Sequence, residues 1–443
     1  MRGIISSYFT LINKLELDRK KIISWSLYDW ANSAFATSVM AGFFPVFFKD
    51  YWSSGANVTI STFHLGTANS LASIVIAAIA PLLGAIADKA GARKKFLLFF
   101  MLLGVVMTVS LYFTPQGNWA LAAGIYIFAI IGFYGGNIFY DSLIVNVSPE
   151  EKFDFVSALG YSLGYLGGGL LFALNVVMVV FPQTFGFHDH YEAIRISFLL
   201  VAIWWAVFSL PIFIFIKEHK ASNKPGSINV VFSGFRQFYL TFREIRKLKV
   251  VFLFLLGYWL YIDGVDTIIL MAVDYGMSIG LSSTSLIVAL LITQFVGFPA
   301  ALAFGKLGEK LGAKTGIIIG IGVYGAVTIW GYFMQREVEF YSLAVIIGLV
   351  QGGVQSLSRS LYAKIIPKNK AAEFFGFYNM LGKFAAVMGP IFIGWTGLLT
   401  GNPRYSILSL LLLFIPGAII LSWVDEKAGK QKASELESHY NSR

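Results

Sequence analysis

Six charged side chains fall deep within long apolar runs of the chain: Asp29, Asp141, Asp263, Asp266, Arg359 and Lys383. A charge buried in a bilayer costs about 3 kcal/mol on insertion scales, so it needs water or a partner and marks function by default. Asp263 and Asp266 are three residues apart, which puts both on one face of a helix. Two carboxylates this close can share a proton, so proton coupling is chemically available. The plainer alternative is that Lys383, or a polar group of the first helix, simply neutralises Asp263. Lys383 could hold a substrate carboxylate or form a structural ion pair with Asp263, and these uses are compatible. Asn32, Ser33, Asn137, Gln294, Gln351, Gln355 and Asn379 could complete a hydrated site for a small zwitterion. About one in three is expected to touch substrate, the rest bonding helix to helix.

The elements that carry these residues follow from composition. Of 443 residues, 57% are hydrophobic and only 13% charged. The mean hydropathy is +0.70. A water-soluble domain carries roughly 25% charged residues, so the expected fold class is an all-α polytopic membrane protein. A membrane-crossing helix needs about 20 mostly apolar residues. Twelve such runs are present: 22–48, 61–83, 96–113, 119–147, 156–181, 195–216, 250–273, 283–304, 316–334, 340–364, 372–399 and 405–423. Residues 1–21 form a basic N-terminal segment without the apolar core of a cleavable signal. Residues 217–249 form a linker whose later part, from Ile228 to Ile245, has the apolar spacing and Arg/Lys content of an interfacial helix. A solvated linker is the alternative. Residues 424–443 form a tail.

Most of the 34 Lys and Arg fall on one set of loops, leaving Lys49, Arg195, Arg336 and Arg404 on the other. The basic loops are the cytoplasmic ones, so both termini are expected in the cytoplasm. The net charge of +10 is then a signal of topology, and nucleic acid is not an expected partner. Cysteine is absent, which excludes disulfides and thiol chemistry. The five His include no pair on one helix face, and His188 and His190 alone are a weak metal signal. No metal, cofactor or catalytic centre is expected. Walker-type loops are missing, which argues against an ATP-driven pump.

The chain repeats itself. After the second run comes Gly84, then Asp88, Gly91, Arg93, Lys94 and Lys95; after the eighth comes Gly305, then Glu309, Gly312 and Lys314 at the same spacing. Pro149 corresponds to Pro367, and Asp154 to Glu373. The linker thus divides a parallel duplication, 22–216 and 250–423, into two pseudo-symmetric six-helix halves, as in major facilitator transporters. The first loop, G-x-x-x-D-x-x-G-x-R-K-K, resembles that superfamily's signature, in which the counterpart of Asp88 takes part in a cytoplasmic latch. The basic cluster of the second copy is degraded.

A closer resemblance rests on four strings. They are Tyr28 to Phe35 (YDWANSAF), Asp263-Gly264-Val265, Gln351 to Ser360 (QGGVQSLSRS), and Phe374 to Tyr378 with Gly382-Lys383 and Gly389-Pro390. Together they resemble the bacterial relatives of the autophagy-related vacuolar amino-acid effluxers. This resemblance implies a major facilitator fold with the first, fourth, seventh and tenth helices around a central cavity. It also implies a secondary transporter of a small polar solute, amino acids first, in the inner membrane of a bacterium. Asp141 and Asp266 depart from that pattern, which would place neutral polar residues there, so the substrate can differ even from near relatives.

Depth sorts the charges into two tiers. Asp29, Asp141 and Arg359 lie roughly 10–12 Å above the cytoplasmic boundary, and Asp263 and Lys383 roughly 18–20 Å in. The lower tier sets acids of the first half against a base of the second, so Arg359 is expected to bridge Asp29 or Asp141 when the cytoplasmic side closes. The alternatives are a fixed ion pair of Arg359 within its own half and a helix-terminal cap by Asp29. The upper tier, with Asn32, Gln355 and Asn379, is expected to serve substrate and coupling ion. The glycines Gly160, Gly164, Gly167, Gly168 and Gly169 are expected to pack the fifth helix against the eighth, or to hinge it. The reading is a monomeric transporter among membrane lipids, taking a small molecule and using protons where coupling operates. A lipid or amphiphile transporter and a non-transporting receptor or scaffold of the same fold are the alternatives.

Overall fold

The computed structural model describes residues 19–55, 58–218, 239, 241, 243, 245, 248–278, 283–385, 388–401 and 403–441. Among them are twelve helices long and apolar enough to cross a membrane. They are α1 (Arg19–Trp52), α2 (Val58–Ala90), α3 (Arg93–Tyr112), α4 (Trp119–Ser142), α5 (Phe153–Val180) and α6 (His190–Phe215) in the first half. The second half has α7 (Lys249–Ser278), α8 (Ser283–Leu311), α9 (Ala313–Phe333) and α10 (Glu337–Ile365). There α11 consists of Ala371–Ala385 and Met388–Thr400, and α12 of Pro403–Leu408 and Leu411–Ser422. A tail helix, α13, covers Glu426–Asn441. The expected interfacial helix of the 217–249 linker falls mostly outside the described residues.

Each half repeats the packing of the other. Helix α1 lies on α6 as α7 lies on α12, and α3 lies on α4 as α9 lies on α10. The halves meet along two equivalent crossings, α2 on α11 and α5 on α8. The flanking helices carry exposed apolar side chains such as Phe99, Ile203, Val207, Ile329, Leu412 and Ile415, the surface a helix presents to lipid.

Missing side chains let the backbones approach. A Cβ on Gly84 would meet the Ala372 carbonyl at 2.2 Å, and one on Gly376 the Pro81 Cα at 2.6 Å, so α2 and α11 cross backbone to backbone. The α5 glycines do different work from that expected. Gly160, Gly164, Gly167 and Gly168 face Asp29, Ser33, Trp30 and Thr37 of α1, and only Gly169 meets α8, at Gln294. The α8 side of the α5 crossing is instead thinned by Gly297 and Gly305, against Tyr165 and Ala158.

The side at which α1 begins and α12 ends is called here the terminus side. The tail helix lies across it. Gly429 fits against Ile365 and Val250, Glu437 accepts the Lys368 backbone N–H, and Lys430 reaches Glu150 of the first half at 3.4 Å. Burial disfavours the Lys430 charge, but its bonds to Glu426 and Glu150 prevail and hold the ammonium above the usual lysine range.

Candidate transport site and gate

Helix α10 is buried from Gly352 to Ile365 apart from Gln355, and its spacing turns Ser356, Arg359 and Ser360 toward α5. Arg359, 2% exposed, spans the two halves. Its Nη1 donates to Asp141 Oδ1 at 3.1 Å and its Nη2 to Asp29 Oδ2 at 3.2 Å. Nε donates to Ser157 Oγ at 2.9 Å, and Nη2 also reaches the Ser157 carbonyl at 2.9 Å. The rings of Trp25, Tyr140 and Tyr161 surround the guanidinium at 4.7, 5.3 and 4.4 Å. Such a cage offsets part of the desolvation cost of a buried cation. Both acids belong to the first half and the base to the second, so the pair is not fixed within one half. Asp29 sits well inside α1, which begins at Arg19, and is no helix cap. Asp141 lies next to the last residue of α4, where the helix dipole disfavours an anion. Arg359 and Asn379, whose Nδ2 donates to Asp141 Oδ2 at 3.3 Å, counter that.

A second bridge lies beneath. Lys364 of α10 donates to both oxygens of Asp154, at 2.8 and 2.7 Å, and Ser360 also donates to Asp154. Asp154 stands in the first turn of α5, where the dipole favours an anion. In the sequence Asp154 marks the repeat, and Lys364 is the last residue of the tenth apolar run. The match of Asp154 to Glu373 was the available signal.

The signature loop closes the α2–α11 crossing. Gly91 takes φ +56°, turning the chain between α2 and α3. Asp88 accepts the backbone N–H groups of Ala372 and Glu373 at 3.2 and 2.8 Å, so a side chain of one half caps a helix of the other. Arg93 holds Asp88 through Nε at 2.6 Å and donates to Asn146 and the Lys368 carbonyl, both at 3.1 Å. Lys94 Nζ caps the end of α6 through the carbonyls of Phe213 and Ile216. In the second copy, Glu309 pairs with Lys152 at 3.1 Å, with both side chains partly exposed.

The upper tier is arranged differently from expectation. Asp263 is fully buried, and its oxygens accept the backbone N–H groups of Met388 and Gly389 at 3.1 and 3.0 Å and the Thr267 hydroxyl at 3.3 Å. It therefore anchors the α11 backbone to α7 at Met388 and Gly389. A Cβ on Gly389 would lie 1.9 Å from Thr267 Oγ1, so only glycine fits. Lys383 does not pair with Asp263. Its ammonium lies 3.3 Å above the Tyr134 ring of the first half and acts electrostatically on Asp266. Asp266, Lys383, Gln355 and Asn379 are half-buried. Asn32 is buried and donates to Asn137 at 2.7 Å.

Among the described residues, the contacts between the halves gather toward the terminus side. The first segment of α11 packs on α2 and α4 of the other half, whereas Met388–Thr400 packs on α7 and α12 of its own half. The outer portion of α1, including a π-helical stretch Phe35–Phe43, likewise packs within its own half. Among the described residues, no group of His, Asp or Glu is placed to hold a metal ion. The arrangement is a closed floor with the half-buried polar side chains Asp266, Lys383, Gln355 and Asn379 above it.

The family model described as "Vacuole effluxer Atg22 like" matches residues 52–152 and 146–434. The chain is 40% identical over 406 residues to the uncharacterized MFS-type transporter YxiO of Bacillus subtilis (strain 168), covering 91% of this chain and 94% of that one. It is 26% identical over 312 residues to autophagy-related protein 22 of Yarrowia lipolytica, covering 64% of this chain and 52% of the fungal one. In fold it is similar to the proton:xylose symporter XylE bound to 6-bromo-6-deoxy-D-glucose, with a TM-score of 0.69 at 13% identity, covering 93% of this chain and 96% of that one. The twelve-helix duplication, its signature loop and these matches together make the chain a transporter of the major facilitator kind, and it belongs to the Atg22-like vacuole effluxer family.

Proposed function

We propose that the chain is a proton-coupled secondary transporter of a small zwitterion, amino acids first, in a bacterial plasma membrane with both termini in the cytoplasm. One observation carries the reading. Arg359, buried to 2% exposure, joins two carboxylates across the halves on the terminus side while the opposite ends of α1 and α11 stay within their own halves. Such a bridge is stable only while water is excluded, so the cytoplasmic gate of Asp29, Asp141 and Arg359 has two settings, closed and hydrated. Rocking the halves between them gives alternating access.

Asp266 and Lys383 supply opposite charges in the chamber, suited to the ammonium and carboxylate of a zwitterion, with Gln355, Asn32 and Asn379 as polar neighbours. Asp263 serves the site indirectly, by tying α7 to α11 at Met388 and Gly389. Asp88, Arg93, Lys94, Gly84 and Gly91 form the latch that accompanies closure, and Glu309 its weaker counterpart. The resemblance to vacuolar amino-acid effluxers supports the substrate class. Proteoliposomes loaded with labelled amino acids are expected to show counterflow that Lys383→Ala abolishes. Inactivity of the intact protein across a broad amino-acid panel would remove the substrate class.

An amphiphile substrate is the second reading, because Trp259, Leu381, Phe384 and Met388 line an apolar groove of about 250 Å³ beside α11. Stimulation of flux by lipids, with amino acids inert, would favour it.

A further inference from the structure

The gate holds two carboxylates and one guanidinium, and its charges do not balance. Asp29, Asp141 and Arg359 are 9%, 7% and 2% exposed. The neighbouring Asp154 and Lys364 pair with each other, so they leave the balance of this cluster unchanged. A net negative charge sealed between helices is strongly unfavourable, and a carboxylate in that position takes up a proton.

The hydrogen bonds indicate where. Both oxygens of Asp141 have donors, Arg359 on Oδ1 and Asn379 on Oδ2. Asp29 Oδ2 has two, the Tyr140 hydroxyl at 2.7 Å and Arg359 at 3.2 Å. Asp29 Oδ1 has no donor among the described residues. The groups facing the cluster are Trp25 and Tyr28 on α1, Tyr140 on α4, Tyr161 on α5 and Asn379 on α11, with Asp266 on α7 acting at longer range. None of them adds a second cation. Among the described residues, no group of His, Asp or Glu at the cluster is placed to hold a metal ion, which leaves a proton as the balancing cation.

We propose that this gate is the proton-binding site of the transporter, with one proton seated on Asp29 Oδ1 while the cytoplasmic side is closed and released when Arg359 withdraws and water enters. The site differs from the Asp263/Asp266 pair, because the Asp263 oxygens already serve backbone N–H groups of α11. The proposal rests on the proton-coupled reading above and gives it a location. The closed state then carries one more proton than the open one. Closure is favoured at low pH and is lost as pH rises, by up to about tenfold per pH unit.

The chain has no cysteine, so nitroxides attached through Lys152→Cys and Glu309→Cys report closure of the α5–α8 crossing without interference. The full-length labelled protein in nanodiscs is titrated between about pH 5.5 and about pH 8. The short-distance population is expected to fall as pH rises. Asn at position 29 keeps an acceptor for Tyr140 and Arg359, so Asp29→Asn is expected to stay closed and lose the response. Asp141→Asn, which also removes the charge imbalance, is expected to flatten it, and Asp266→Asn to retain it. A response that persists in both Asp29→Asn and Asp141→Asn overturns the site, as does one that follows sodium and not pH. Flux in proteoliposomes separates the two levels. If a pH gradient drives flux while both variants keep their pH response, the coupling reading stands and the proton binds elsewhere. If a gradient never affects flux of the intact protein, the coupling reading fails and this site with it.

Discussion

The two tiers of buried charge differ in how completely their hydrogen bonds are met. In the lower tier every donor of the Arg359 guanidinium that points at the first half finds an acceptor within 3.2 Å, and three rings enclose it. In the upper tier Asp266 and Lys383 are half-buried, and Lys383 rests on the Tyr134 ring without a direct ion pair to a carboxylate among the described residues. A cation whose donors are held on several sides has few good geometries and behaves as a lock. A loosely met pair can exchange partners at small cost, as a substrate site requires. The same contrast divides the two copies of the loop. The Asp88 side chain is 6% exposed and caps α11 across the halves, whereas that of Glu309 is 26% exposed and makes one ion pair.

Substitutions can break the contrast, and the largest effect is expected at the lock. Arg359→Ala leaves Asp29 and Asp141 without their counter-charge, a loss of about 3–5 kcal/mol for a buried pair. Coupled transport should drop by at least about a hundredfold, with Arg359→Lys recovering only part, because an ammonium cannot span both carboxylates. Next is Lys383→Ala. Loss of a charge-assisted bond to a substrate carboxylate is worth about 2 kcal/mol, so substrate affinity should weaken about thirtyfold, read by ligand-induced thermal shift. Closure itself should change little, and a large change in closure would place Lys383 in the lock. Asp88→Ala removes a cap worth about 1–2 kcal/mol and should shift the closed population about tenfold, measured by the same nitroxide distances. The smallest effect is expected at the exposed pair. Glu309→Gln, made without the labels and read by transport, is worth about 0.2–1 kcal/mol, and equal losses of coupled transport in Asp88→Ala and Glu309→Gln would erase the distinction between the loops.

Architecture was legible in the sequence because bilayer crossing demands length and apolarity, and duplication preserves spacing. The twelve runs, the Gly84-to-Lys95 loop and its copy at Gly305 carry that information locally. Individual partners were legible only in part. The depth of Asp29, Asp141 and Arg359 brings them to one level, and the structure joins all three. Asp263 meets the backbone N–H groups of Met388 and Gly389 rather than Asp266 or Lys383, because a carboxylate bonded to backbone leaves no partner side chain to be seen in a span of apolar residues. The α5 glycines could not declare that α1, and not α8, is their main neighbour, since glycine spacing fixes a face and not what lies against it. Lys364 was invisible for a related reason: near a helix end, a lysine of a buried bridge and one reaching solvent look alike.

The proposed gate requires the Arg359 bridge to hold the terminus side closed. Its most direct test is the nitroxide distance between Lys152→Cys and Glu309→Cys in nanodiscs, with and without Arg359→Ala. The account predicts a dominant short-distance population in the intact gate that collapses to longer distances in Arg359→Ala. An unchanged distribution in a folded Arg359→Ala protein would contradict it.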